Sequence, residues 1–245
     1  MGKDTRIYEG LLLNKGVCPP RTVLWCSPAS PLFYQCRICR PFHNICLKKI
    51  YPHKTNHYKM HPIYVVNNFG QFNHLILRML RDNDIDAKMI KNDVPVAEVA
   101  DSCRGIILGG GPEISRAGNA PAYVDTGLPV LGICLGLHII STARGGTIRP
   151  GASGGFGGIE VTISDHDTIL AGYPDTISVW ASHGDEVAEV PEGFRVLATS
   201  EICGVEAMAH ETEPVFGIQW HPEVSHSVDG CRVYENFNAL TLDRA

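Results

Sequence analysis

The sequence predicts an α/β fold, a doubly wound, mostly parallel sheet flanked by helices, with an irregular N-terminal extension. Three observations carry this prediction. Between Pro62 and Cys134, short apolar runs closing on or beside glycine are separated by stretches of helix length. From about Gly158, strand-like runs follow one another until a last helical stretch near Gly230–Leu240. With 245 residues, 44% of them hydrophobic, the chain can bury one full-sized core.

The elements read in order as follows. Ile63-Tyr64-Val65-Val66 is a strand, Phe72 to Arg81 a helix, and Ala87-Lys88-Met89-Ile90 a short strand, which together make a βαβ opening. Gly105-Ile106-Ile107-Leu108 is a buried strand ending in Gly109-Gly110-Gly111-Pro112. Pro129-Val130-Leu131-Gly132-Ile133 is another, running straight into Cys134 and a helical stretch, Leu135–Arg144. The runs Ile159–Ile163, Ile177–Trp180, Phe194–Thr199, Val205–Ala209 and Val215–Gln219 complete the strands.

Residues 1–59 fit none of this, because prolines at 19, 20, 28, 31, 41 and 52 break any long helix or central strand. Charge also changes there: 10 Lys+Arg stand against 2 Asp+Glu in 1–59, and 11 against 24 in 60–245. We therefore divide the chain into a Cys/Pro-rich extension, 1–59, and a main domain, 60–245. On this reading Met60 is an alternative start, and the extension need not belong to the mature protein. Cys36-x2-Cys39 with His43 and Cys46 offers four zinc-ligand types, yet lacks the paired knuckles of common zinc modules, so no metal site is assigned.

The acidic main domain argues against nucleic acid as a partner. No window approaches the roughly 18 apolar residues of a membrane span, and no secretory leader is evident, so a soluble, cytoplasmic protein is expected. Nine cysteines, an odd number in such a setting, are not read as a disulfide framework; one is expected to be a working thiol.

Gly132-Ile133-Cys134-Leu135-Gly136 has the form of a nucleophile elbow, a sharp strand-to-helix turn that leaves Cys134 exposed at a helix N-terminus, where thiolate is favoured over thiol. Gly217-Ile218-Gln219-Trp220-His221-Pro222-Glu223 supplies an imidazole, His221, as general base and a carboxylate, Glu223, to orient it. In the glycine turn, Gly111 is the last N–H donor before Pro112; with the N–H of Leu135 it forms a candidate oxyanion hole. Each motif alone also fits a structural role, and the elbow and histidine together would serve any acyl transfer.

The three motifs, in this order, resemble the class I (triad) glutamine amidotransferases over Pro62 to Leu240. The resemblance implies that Cys134 attacks the side-chain amide of glutamine, His221 protonates the departing ammonia, and water releases glutamate. Within the family, Ser182-His183-Gly184-Asp185-Glu186-Val187 and Glu223-Val224-Ser225-His226 are most similar to the glutaminase subunits of two-subunit GMP synthetases. That similarity implies backbone contacts to glutamine near Ser182 and His183, and a role for Asp185 toward the partner, with Gly184 giving the segment backbone freedom. It also implies a separate ATP-pyrophosphatase subunit that converts XMP to GMP with ATP and Mg2+, no cofactor being held by this chain. Where the family commonly has His-Gln after the second elbow glycine, this chain has Leu137-His138, so His138 is expected to take over a glutamine contact. The alternatives are another Cys-His hydrolase on the same fold, or a non-catalytic regulatory subunit.

Overall fold

The computed structural model describes residues 61–166 and 168–243. The extension, with its Cys36, Cys39, His43 and Cys46 group, lies outside the described residues. Among the described residues nine strands form one sheet: β1 (Ile63–Asn67), β2 (Ala87–Lys91), β3 (Gly105–Leu108), β4 (Val130–Ile133), β5 (Thr147–Ile163), β6 (Thr176–Glu189), β7 (Phe194–Ser200), β8 (Ala207–His210) and β9 (Val215–Ile218). Their order is β2-β1-β3-β4-β9-β8-β7-β5-β6. The first five are parallel and carry helices on both faces; β8, β7, β5 and β6 continue the sheet in antiparallel fashion.

The helices are α1 (Asn73–Asp82), α2 (Val96–Ser102), α3 (Ala120–Tyr123), α4 (Leu135–Ala143) and α5 (Cys231–Asp243). Alternate side chains of the parallel strands serve two cores. Ile63, Val65, Ile107, Leu131 and Ile133 pack with Ile76 and Leu80 of α1 and Tyr234 and Phe237 of α5. Tyr64, Val66, Ile106, Leu108 and Val130 pack with Val99 of α2, Tyr123 of α3, and Leu137 and Ile140 of α4. Burial on both faces is why these strands read as unbroken apolar runs.

The structure adds to the expected elements mainly in three places. Helix α2 buries a single residue, Val99, too few to give a helical period. Strand β5 begins at Thr147, twelve residues before the run read from sequence, and β6 extends through Glu189. The glycine-rich first half of β5 resembles loop by composition, yet it pairs with β6 at Gly155–His183 and Phe156–Ser182. A side chain on Gly155 would meet the His183 ring, with its first carbon 2.5 Å from Nε2. Gly184 sits inside strand β6 with no left-handed φ, opposite the register shift between Pro150 and Gly155. No helix among the described residues is long and apolar enough to cross a membrane.

Candidate active site

Strands β3, β4 and β9 are neighbours, and their C-terminal ends deliver the three motifs to one place. At the end of β4 the chain turns through Cys134, with φ 55° and ψ −108°, into α4. That left-handed φ is costly for a residue with a side chain and is held by packing and by the Cys134 N–H bond to the Ile218 carbonyl of β9, 2.8 Å. A methyl on Gly132 would strike the Gly136 backbone, and one on Gly136 the Leu108 carbonyl, so the elbow closes only with glycine at both positions.

Cys134 and His221 line the same cavity, with the imidazole within electrostatic reach of the sulfur. The His221 Nδ1 lies 2.7 Å from Glu223 Oε1, and Phe72 sets its ring edge-on against the imidazole at 4.9 Å. Burial by itself pushes the imidazole toward neutrality. The pull of the Cys134 sulfur, with the hydrogen bond and charge of Glu223, overrides this and carries His221 up to about 10. The arrangement therefore favours an imidazolium beside sulfur, the form that can hand a proton to a leaving group.

The expected oxyanion donors lie beside the thiol: Gly111 and Leu135 both line a cavity of about 340 Å³ with Cys134, and Gly111 packs against the Leu135 side chain. Two asparagines missed in the sequence orient this turn. Asn68 Nδ2 donates to the Gly109 carbonyl (3.0 Å) and Asn73 Nδ2 to the Gly110 carbonyl (3.1 Å). With those carbonyls tied elsewhere, the turn is free to present N–H groups to the reacting centre.

Ser182, His183 and Asp185 line the same cavity, and the Ser182 carbonyl stands 3.8 Å from the Cys134 sulfur. The His183 Nδ1 lies 3.0 Å from the Asp185 carbonyl, and burial lowers its proton affinity. Asp185 itself is exposed at the rim. His138 lines the cavity too, but its Nε2 is engaged by Gln219 Oε1 at 2.8 Å, and burial, only partly opposed by that bond, favours the neutral ring. A second cavity, of about 240 Å³, meets the first at Cys134, Gly111 and Ser182 and is walled by Phe69–Asn73 and His221.

A cysteine on a strained elbow, paired with a carboxylate-backed histidine under a polar cavity, is a site for acyl transfer through a thioester. Residues 64–240 match the family described as glutamine amidotransferase class-I. The chain belongs to that family. The amidotransferase is similar to a Methanoculleus marisnigri protein named as one subunit of GMP synthase (glutamine-hydrolyzing), 67% identical over 181 residues, which are 74% of this chain and 98% of the relative. It is 66% identical over 181 residues to the protein of the same name from Methanospirillum hungatei, covering 74% of this chain and 96% of that one. The crystal structure of a Thermoplasma acidophilum protein, described as a proposed GMP synthase subunit, superposes with a TM-score of 0.73 and 32% identity, over 79% of the amidotransferase and 97% of the other chain.

Tyr234, Gln219 and Ser227 also support the site and were not singled out in the sequence. Tyr234 and Ser227 lie beyond the histidine motif at spacings that only the folded loop and α5 make meaningful, whereas Gln219 sits inside the quoted motif.

Proposed function

We propose that this amidotransferase is the glutaminase subunit of a two-subunit GMP synthase. The observation that carries the reading is the Cys134–His221–Glu223 line opening on a cavity walled by Gly111, Leu135 and Ser182. The Cys134 thiolate attacks the amide carbon of glutamine, and the oxyanion is met by the Gly111 and Leu135 N–H groups. The imidazolium of His221 gives its proton to the nitrogen as the C–N bond breaks, releasing ammonia and leaving a thioester. His221, now neutral, takes a proton from water, hydroxide adds to the thioester, and the thiolate departs as glutamate forms. The Ser182–His183 backbone holds the amino-acid end of the substrate, and His138 lines the same cavity.

The partner is a separate ATP-pyrophosphatase subunit that uses ATP and Mg2+ to convert XMP to GMP, this chain holding no cofactor. Supporting this, the relatives are named as one subunit of a synthase, and two exposed aromatics, Phe69 and Phe156, stand on the walls of the two cavities, where a covering protein would bury them. Asp185, on the same rim, faces that partner.

The test is a reconstituted synthase assay. Cys134→Ala should abolish GMP formation from glutamine while leaving formation from added ammonia intact, since the thiol only liberates ammonia. Loss of both activities, or of neither, would overturn the assignment.

A further inference from the structure

The catalytic histidine is held by its backbone as firmly as by its ring. The His221 N–H donates to the Trp180 carbonyl at 2.9 Å. The His221 carbonyl accepts the Ser227 hydroxyl at 2.6 Å, and the Ser227 oxygen in turn accepts the Trp180 N–H at 3.0 Å. These three bonds close a ring among three residues of β6 and the loop after β9. A hydroxyl suits the third corner because it donates and accepts through one atom. Ser227 is 7% exposed, so neither the carbonyl nor the N–H it satisfies can turn readily to bulk water.

Neighbouring bonds give the ring a direction. The Val228 N–H donates to the Ser178 carbonyl at 2.9 Å, and the His226 ring packs on Trp180 at 4.9 Å, so residues 226–228 run along β6 as a short splint. Two residues beyond Trp180 on the same strand stands Ser182, whose carbonyl approaches the nucleophile. The imidazole and the Ser182 wall of the substrate cavity are thereby joined through Ser227.

We propose that Ser227 is a positioning residue of the amidotransferase: it locks His221 to β6, so that the imidazole and the cavity wall keep one alignment relative to Cys134. The kinetic part rests on the glutaminase reading; the alkylation readout below does not. Without the hydroxyl, the loop is free to shift by a fraction of an ångström, and misplacing a reacting group by about 1 Å can cost about 100-fold in rate.

The experiment compares the full chain with Ser227→Ala, Ser227→Thr and Ser227→Cys, Cys134→Ala serving as blank. Iodoacetamide alkylation of Cys134, located by peptide mass, is followed across pH, and kcat and KM for glutamine are measured on the same samples. In Ser227→Ala, kcat should fall about 10- to 100-fold with KM within about threefold. The alkaline limb of the alkylation profile, which follows loss of the His221 proton, should move to lower pH. Ser227→Thr, which keeps the hydroxyl, should recover most of both. If the alanine variant does not fold, Ser227→Cys keeps the volume while weakening both hydrogen bonds and should show the same changes. A folded Ala or Cys variant with unaltered kcat and pH profile would overturn the proposal, as would a lowered melting temperature with no other change. Failure of the unmodified chain to hydrolyse glutamine, with the alkylation profile still shifting in the variant, would sink the glutaminase reading and leave the positioning role standing.

Discussion

The Tyr234 hydroxyl donates to Glu223 Oε2 across 3.3 Å, linking the last helix to the carboxylate behind the catalytic histidine. Both side chains are buried, and Glu223 Oε1 is already engaged by His221, so the tyrosine fixes the one oxygen that could otherwise swing the carboxylate out of line. Tyr234→Phe should therefore lower kcat for glutamine by about fivefold with little effect on KM, as expected for one long bond to a charged group. Glu223→Gln should be more damaging yet retain measurable turnover, and His221→Ala should be close to inactive. Steady-state kinetics on the three variants would check the ranking.

His138 stabilises the site from behind. Gln219 is fully buried, and its Nε2 meets no acceptor among the described residues, so its only side-chain bond is the one to His138. His138→Ala would leave both ends of a buried amide unsatisfied and should cost about 1–3 kcal/mol in a urea melt. His138→Gln, which can still donate, should lose less than half of that.

Glu206 gives a pH dependence of stability unrelated to catalysis. Burial pushes its carboxyl up to about 7, with the Ser200 hydroxyl resisting and the Glu186 charge adding to the rise. Relative to its ordinary value of 4.5, the folded chain holds a proton that the unfolded chain releases, so stability falls as pH climbs from about 4.5 to about 7. Glu206→Gln, which cannot ionise and keeps an acceptor for Ser200, should be more stable than the parent by about 2–3 kcal/mol at about pH 8. Below about pH 4.5 the two melting curves should coincide.

Asp185 carries the proposed link to the synthetase. Its side chain is exposed on the rim of the larger cavity. Asp185→Ala should lower stimulation of glutamine hydrolysis by a partner loaded with ATP and XMP about tenfold, while the rate of the isolated glutaminase stays within about twofold. Equal basal and stimulated rates in the parent protein would show that no such coupling exists.

We propose that residues 60–245 are a self-sufficient unit. The family match begins at residue 64, and the Methanoculleus relative is covered over 98% of its length by 181 residues of this chain. A chain shortened to begin at Met60 should fold and hydrolyse glutamine at the full-length rate. Loss of solubility or activity would assign the extension a structural role.

The parallel half of the fold was legible because both faces of its strands are buried, which writes Ile63–Val66 and Gly105–Leu108 as uninterrupted apolar runs. Cys134, His221 and Glu223 were legible because their chemistry needs fixed neighbours: glycines 132 and 136 for the elbow, Pro222 for the histidine turn. The first half of β5 was not, since glycines at 151, 154, 155, 157 and 158 signal a loop, and only pairing of 155, 157 and 158 with β6 makes strand of this stretch. Nor could the supports be read. Asn68, Asn73, Tyr234 and Ser227 act through distances that exist only after folding, and none lies at a spacing that distinguishes it from ordinary polar residues.

The place of β9 in the sheet has a consequence for synthesis on the ribosome. It is inserted between β4 and β8, so the strand that brings His221 beside Cys134 is among the last to be translated, while β1 to β4 and the elbow are made first. Until residue 218 has emerged, β4 has an open edge where its late neighbour belongs, the Cys134 N–H lacks its Ile218 acceptor, and no imidazole stands by the sulfur. A nascent or truncated chain is thus chemically silent toward amides. Insertion of β9 between β4 and β8 gives the Cys134 N–H its acceptor and brings the histidine beside the nucleophile in one event.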